Sequence, residues 1–145
     1  MGRRLVHCQS KVMERILIVD DDHETRVVLE EILRRAGYSV SIALGGSDAV
    51  RCWRTERIDL AVVDIWMPEK DGLETIMEIR RITPDAKIIA MSGVKTAGPM
   101  DPLALAARLG ARQSLRKPFL GEELLHAISD LLHPASATAG ATEKV

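Results

Sequence analysis

Short, continuous apolar runs recur along this chain, and amphipathic stretches separate them. The five runs are Ile16–Val19, Val40–Ala43, Leu60–Val63, Lys87–Met91 and Gln113–Leu115. Most are unbroken rather than alternating, which is typical of strands buried on both faces of a parallel sheet. The last run is the least strand-like in composition, and its place in the series favours a strand. With right-handed crossovers, the pattern predicts an α/β, three-layer (βα)5 sandwich around a five-stranded parallel sheet.

Capping signals mark the predicted helices between these runs. Asp71 and Glu74 are spaced as a capping box. Asp101 precedes Pro102 as an N-cap precedes a proline at the first helical position. A shorter helix is predicted over 47–54, and Gly37 is placed as the residue that follows the first helix. The predicted apolar faces are Val28, Ile32, Leu33 and Ala36 in the first helix, Leu73, Ile76 and Met77 with Arg80 in the third, and Leu120, Leu124, Leu125, Ile128, Leu131 and Leu132 in the last.

Composition assigns this pattern to one domain and excludes several functions. We predict a domain over 14–133, a disordered N-terminal extension over 1–13, in which Met13 is a candidate translation start, and a disordered tail over 134–145. Residues 1–12 carry a charge of +3 and the tail carries none, so the net charge of −1 leaves −4 on residues 13–133. An acidic body with four aromatic residues argues against direct nucleic-acid binding. No apolar run is long enough to cross a membrane, and two cysteines suit free thiols in the cytoplasm.

Polar residues stand at the end of four of the predicted strands. Asp20, Asp21 and Asp22 follow the first strand, and the others are Asp64, Ser92 and Lys117. The carboxyl ends of parallel strands meet at one edge of the sheet, where open α/β folds place their sites. Asp22 suits a helix N-cap, and the acidic pair taken alone suits a simple turn.

Crowding the carboxylates of Asp20, Asp21 and Asp64 calls for a counter-charge. Two carboxylates about 4 Å apart repel by roughly 4 kcal/mol at an effective dielectric constant near 20. All-oxygen ligands suit Mg²⁺, with Mn²⁺ as a second possibility. Lys117 supplies a fixed positive charge, and an Asp carboxylate is a nucleophile toward phosphoryl groups.

These residues resemble the receiver domain of bacterial two-component response regulators. The resemblance rests on the run from Ile16 to Asp22, on Asp64 with Met67-Pro68 and Asp71-Gly72 after it, on Ser92-Gly93 and on Lys117-Pro118-Phe119. It covers about residues 14–133 and implies a flavodoxin-like fold with strand order 2-1-3-4-5.

The resemblance also implies a role for each site residue. Asp64 would accept phosphate from a histidine kinase or a histidine phosphotransfer protein. Asp21 and Asp64 would be direct Mg²⁺ ligands, with Asp20 helping and Trp66 giving its backbone carbonyl. Ser92 would bind a phosphoryl oxygen, and Lys117 would pair with the phosphoryl group. The Lys117–Pro118 bond is often cis in this family.

The chain departs from this family at its switch and tuning positions. Ser114 stands where the family usually has Tyr or Phe, and the loop 94–100 is about three residues longer than usual. We therefore expect a non-standard output surface. The two positions that tune phosphoryl lifetime carry Trp66 and Val94, both apolar, which predicts slow autodephosphorylation. Simple exposed packing is the alternative interpretation of Trp66.

The preferred interpretation is a stand-alone phosphoacceptor that is not an enzyme. About twelve residues follow the last predicted helix, so we expect its output to be a downstream protein target or a phosphorelay. A receiver-like module that is never phosphorylated is an alternative, which Ser114 slightly favours. A phosphatase of the haloacid dehalogenase type is another, but the run after the first strand lacks the threonine that this class uses. The four histidines have no predicted site role.

Overall fold

A computed structural model describes residues 13–67, 71–93 and 101–134, in which five strands alternate with five helices. The strands are β1 (Arg15–Val19), β2 (Ser39–Ala43), β3 (Leu60–Asp64), β4 (Ile88–Ser92) and β5 (Gln113–Arg116). The helices are α1 (His23–Arg35), α2 (Gly46–Thr55), α3 (Gly72–Ile82), α4 (Pro102–Leu109) and α5 (Gly121–Leu132). The predicted (βα)5 fold is confirmed.

The sheet is parallel throughout, with the order β2-β1-β3-β4-β5 that the resemblance implied. Alternate strand residues enter two separate cores. Ile16 and Ile18 of β1 pack with α1 and α5 on one face, while Leu17 and Val19 pack with α2, α3 and α4 on the other. The continuous apolar runs therefore reflect strands covered on both faces.

The last three strands end one residue later than predicted, whereas β1 and β2 end as predicted and begin one residue earlier. Asp64 is the last residue of β3 and pairs with Met91, and Ser92 is the last residue of β4 and pairs with Arg116. Backbone pairing continues past the last apolar side chain because ladder hydrogen bonds do not depend on side-chain polarity. β4 likewise begins at Ile88 rather than at Lys87.

The predicted helix ends are present. The Asp22 carboxylate accepts from the Thr25 N–H at 3.0 Å, and the Asp71 carboxylate accepts from the Glu74 N–H at 2.9 Å. Asp101 caps α4, and Gly37 has a φ of 97°, the left-handed conformation that glycine adopts after a helix.

Four of the predicted core positions are wrong, among them Ala36, which is exposed and follows α1 as its C-cap. Val28 is 55% exposed, Met77 is 40% exposed and Leu120 is 65% exposed. The predicted Leu33 of α1 and Ile76 of α3 are buried, and they share the face that meets the sheet with Leu29 and Ile79 rather than with Val28 and Met77. Helical spacing alone admits either face, and the seating of each helix on the sheet decides between them. Leu120 stands before α5 as its N-cap.

The predicted extension and tail lie almost wholly outside the described residues, which include only Met13 and Pro134 from them. Within the described part of the chain, no helix has the length and hydrophobicity to cross a bilayer.

Candidate functional site

The polar strand-end residues meet at the carboxyl edge of the sheet. Asp20 follows β1, Asp64 and Ser92 end β3 and β4, and Lys117 follows β5. Asp20 and Ser92 are fully buried and Asp64 is 6% exposed. The structure thus brings together side chains that lie far apart in the sequence.

Three carboxylates form a compact cluster at this edge. Asp20, Asp21 and Asp64 each offer an oxygen, and these oxygens lie within 4.8 Å of one another. Asp21 is exposed, so the cluster is open to solvent on one side. An all-carboxylate donor set of this size fits a hard divalent ion such as Mg²⁺.

Lys117 provides the counter-charge. Its Nζ lies 3.1 Å from Asp20 Oδ2 and 3.7 Å from Asp64 Oδ1. The backbone N–H of Lys117 donates to the Ser92 carbonyl at 2.9 Å. The backbone pairing of β4 with β5 therefore extends to the two site residues at the ends of these strands. The Lys117–Pro118 peptide bond is cis, as the resemblance implied.

Asp64 has an unusual protonation equilibrium. Burial raises the pKa of its carboxyl to about 6, and the charges of Asp20 and Asp21 contribute in the same direction. Lys117 and the Trp66 N–H lower this pKa but do not offset the burial. Added positive charge would lower this raised pKa and favour the carboxylate, which is the nucleophilic form.

Two residues that shape the site were not identified from the sequence as part of it. Gly72 opens α3 against the end of β3, where a Cβ would lie 2.3 Å from the Asp64 carbonyl oxygen and 2.5 Å from Ile65 Cα. Its N–H donates to the Ile65 carbonyl at 2.9 Å. From the sequence, Asp71 is predicted as a cap and the Asp71-Gly72 pair is part of the receiver resemblance, but Gly72 has no predicted role at the site, although a glycine next to a cap is a signal of close backbone approach.

The second such residue is Arg26 in α1. Its Nη1 donates to the Asp20 carbonyl at 3.0 Å. No spacing rule indicates this contact, because it depends on how α1 turns back over the end of β1.

The predicted switch and tuning residues are placed as follows. Ser114 lies in β5, is exposed and pairs with Ala90. Trp66 is 54% exposed and lies two residues after Asp64. Val94 and the loop 94–100 lie outside the described residues.

A groove of about 350 Å³ adjoins the site between α1 and the segment after β5. Lys117 and Phe119 line it from one side, and Val28 and Ile32 line it from α1. The exposed Val28 therefore belongs to an apolar surface that ends beside the carboxylate cluster.

The chain was compared with known protein families and with curated proteins. A model of the response regulator receiver domain matches residues 16–129. The chemotaxis protein CheY of Thermotoga maritima is 36% identical over 117 residues, which cover 80% of this chain and 95% of that protein.

Solved structures give the same result. The CheY-like receiver domain protein of Methanospirillum hungatei superposes with a TM-score of 0.79 at 28% identity, over 88% of this chain and 99% of that one. The response regulator TrrA of Thermotoga maritima, solved in complex with Mg²⁺-BeF, has a TM-score of 0.74 at 34% identity, over 82% of this chain and 99% of that one.

Proposed function

This chain belongs to the response regulator receiver family of two-component signalling proteins, and we propose that it accepts a phosphoryl group on Asp64. The family is one of signal receivers rather than of metabolic enzymes. The observation that carries the proposal is a buried carboxylate flanked by two further carboxylates and a lysine. Such a site stabilises charge on a phosphoryl group during its transfer.

In the proposed step, a carboxylate oxygen of Asp64 attacks the phosphorus of a phosphohistidine. An O–P bond forms as the N–P bond breaks, and the electron pair of the broken bond stays on the imidazole, which takes a proton from water. Hydrolysis later returns the carboxylate: water attacks phosphorus, the bond from the Asp64 oxygen to phosphorus breaks, and inorganic phosphate and a proton are released. The donor is a histidine kinase or a histidine phosphotransfer protein.

The surrounding residues have complementary roles. Lys117, within ion-pair distance of Asp64, is suited to bind a phosphoryl oxygen once the negative charge grows. Ser92 ends the neighbouring strand, where its hydroxyl is suited to donate to another phosphoryl oxygen. Asp21 and Asp64 would hold Mg²⁺ directly with Asp20 in support and the Trp66 carbonyl as a further ligand, and Mn²⁺ suits the same oxygens. When bound, the ion supplies charge neutralisation for the transfer.

Phosphorylation would change a protein-binding surface or supply a relay, in the cytoplasm, with a protein as the downstream target. The family assignment leaves a phosphatase of the haloacid dehalogenase type without support. A receiver-like module that is never phosphorylated keeps one observation in its favour, since exposed Ser114 lacks the aromatic ring usual in the family.

Acetyl phosphate with Mg²⁺, followed by intact mass measurement, tests the proposal. We expect one added phosphoryl group in the wild-type protein, none in Asp64→Asn, and one in the control Asp85→Asn, which removes an exposed carboxylate of the α3–β4 connection. A wild-type protein that gains no phosphoryl group under conditions where it is folded would favour the unphosphorylated module.

A further inference from the structure

Asp20 is held at every polar atom it has. Its N–H donates to the Ala43 carbonyl at 3.3 Å, and its Oδ1 accepts from the Asp22 N–H at 2.9 Å. Its Oδ2 accepts from Lys117 Nζ at 3.1 Å, and its carbonyl accepts from Arg26 Nη1 at 3.0 Å. Three of these contacts belong to the sheet edge, the helix cap or the phosphoacceptor site, whereas the Arg26 contact belongs to none of them.

The carbonyl that Arg26 holds is part of the peptide unit between Asp20 and Asp21. Rotation of that unit would swing the Asp21 carboxylate, since Asp21 is exposed and lies between the end of β1 and the cap of α1. Arg26 is half-buried, one turn into α1, and its Nη2 lies 3.5 Å from His23 Nδ1 in the first turn. The guanidinium is therefore attached to a helix while it holds the Asp20–Asp21 segment, which carries two of the three carboxylates.

Resting on the proposed function, we propose that Arg26 is a positioning residue for the divalent-cation site. It orients the Asp20–Asp21 peptide so that the Asp21 carboxylate stays close to the Asp64 carboxylate. Outer residues that orient metal ligands commonly change metal affinity by about 10–100-fold when they are replaced.

The charge of Arg26 gives this inference a distinctive sign. A cation beside a divalent-ion site repels the ion, so an arginine that acted only through its charge would weaken binding. Its removal would then strengthen binding. An arginine that positions the ligands gives the opposite result. Its removal weakens binding, because the Asp20–Asp21 peptide is then free to rotate.

The experiment measures Mn²⁺ affinity from the electron paramagnetic resonance signal of the free ion, with Mg²⁺ as competitor. Arg26→Met keeps the aliphatic stem and removes both the donors and the charge. We expect it to weaken Mn²⁺ binding by about tenfold. Arg26→Lys restores a charged donor, and we expect it to recover most of the affinity. The control is Arg34→Met on the same helix, which removes an exposed arginine paired with Glu30 and is expected to bind as the wild type does.

Unchanged or tighter Mn²⁺ binding in Arg26→Met would overturn the inference, as would an equal loss in Arg34→Met. Circular dichroism of the metal-free proteins identifies a variant that does not fold. If Arg26→Met does not fold, the comparison of Arg26→Lys with the wild type decides. We then expect Arg26→Lys to lose less Mn²⁺ affinity than Asp21→Asn loses. Phosphorylation by acetyl phosphate is scored separately. A wild type that binds Mn²⁺ but is never phosphorylated contradicts the proposed function and leaves the role of Arg26 measurable.

Discussion

At the scale of single residues, Trp66 carries the clearest prediction about the lifetime of the phosphoryl group. Its ring is 54% exposed and lies two residues after Asp64, the residue proposed to carry the phosphoryl group that water would hydrolyse. We expect the bulk of the ring to hinder that water, and the indole N–H, which donates but cannot accept, gives it no acceptor that would orient it. The lifetime of a phosphoryl group on Asp64 should therefore be long.

We expect Trp66→Asn to shorten that lifetime, since an amide can orient water where the indole blocks it. The dephosphorylation rate should rise on the order of tenfold, at the low end of what positioned polar groups contribute. The measurement is the decay of the phosphorylated protein by intact mass after the phosphodonor is removed. The control is Met77→Asn, which alters a different exposed apolar side chain, one that lies on α3. Its phosphorylated form should decay at the wild-type rate. An unchanged rate in Trp66→Asn would leave simple exposed packing as the role of this ring.

At the scale of elements, α3 packs closely against the backbone at the end of β3. The helix begins at Gly72 directly against the backbone of Asp64 and Ile65. Its first turn is held by the Asp71 cap and by the Gly72 N–H on the Ile65 carbonyl. The position of α3 is thereby tied to the strand that carries the phosphoacceptor.

Gly72→Ala should break this arrangement, because the added Cβ would meet backbone atoms at 2.3 and 2.5 Å that cannot move aside cheaply. We expect a loss of at least about 2 kcal/mol in the free energy of unfolding, measured with urea. Phosphorylation of Asp64 should slow in the protein that remains folded. Gly45→Ala is the matched control, since nothing lies within 4 Å of its added Cβ. Equal stability of the two variants would contradict the tight contact.

At the scale of the whole molecule, the buried Asp64 carboxyl makes stability depend on pH. Burial, followed by the charge of Asp20, raises its pKa in the folded state from 3.8 to about 6. Between these two values the folded protein binds more protons than the unfolded chain. The ionised group therefore destabilises the fold above about pH 6, and this effect is lost as the pH falls toward 3.8.

We expect metal-free Asp64→Asn to be more stable than the wild type at pH 7.5 by roughly 2–3 kcal/mol. The difference should shrink as the pH falls from about 6 toward 4, because the wild-type carboxyl then becomes neutral. Urea unfolding in the presence of a chelator gives the free energy of unfolding of both proteins across this range. Groups that titrate alike in the two proteins cancel in the difference. Asp85→Asn should show no such trend, and a gap between Asp64→Asn and wild type that is independent of pH would contradict the raised pKa.

The sequence by itself determined the series of strands and helices, the helix caps and the edge where the polar residues meet. These features are local, or they follow from the rule that parallel strands present their carboxyl ends together. Asp22, Asp71 and Asp101 cap their helices as predicted because an N-cap involves only residues two or three positions apart. The roles of Ser114, Val94 and Trp66 in signalling remain predictions.

Only the tertiary structure decided which helix faces are buried and how the site is held. Leu29 rather than Val28 faces the sheet, Gly72 touches the Asp64 backbone, and Arg26 reaches the Asp20 carbonyl. Each depends on the angle at which a helix is seated on the sheet, and the spacing of residues along one element does not contain that angle. The raised pKa of Asp64 has the same origin, since burial and the distances to Asp20 and Lys117 exist only once β1, β3 and β5 lie side by side.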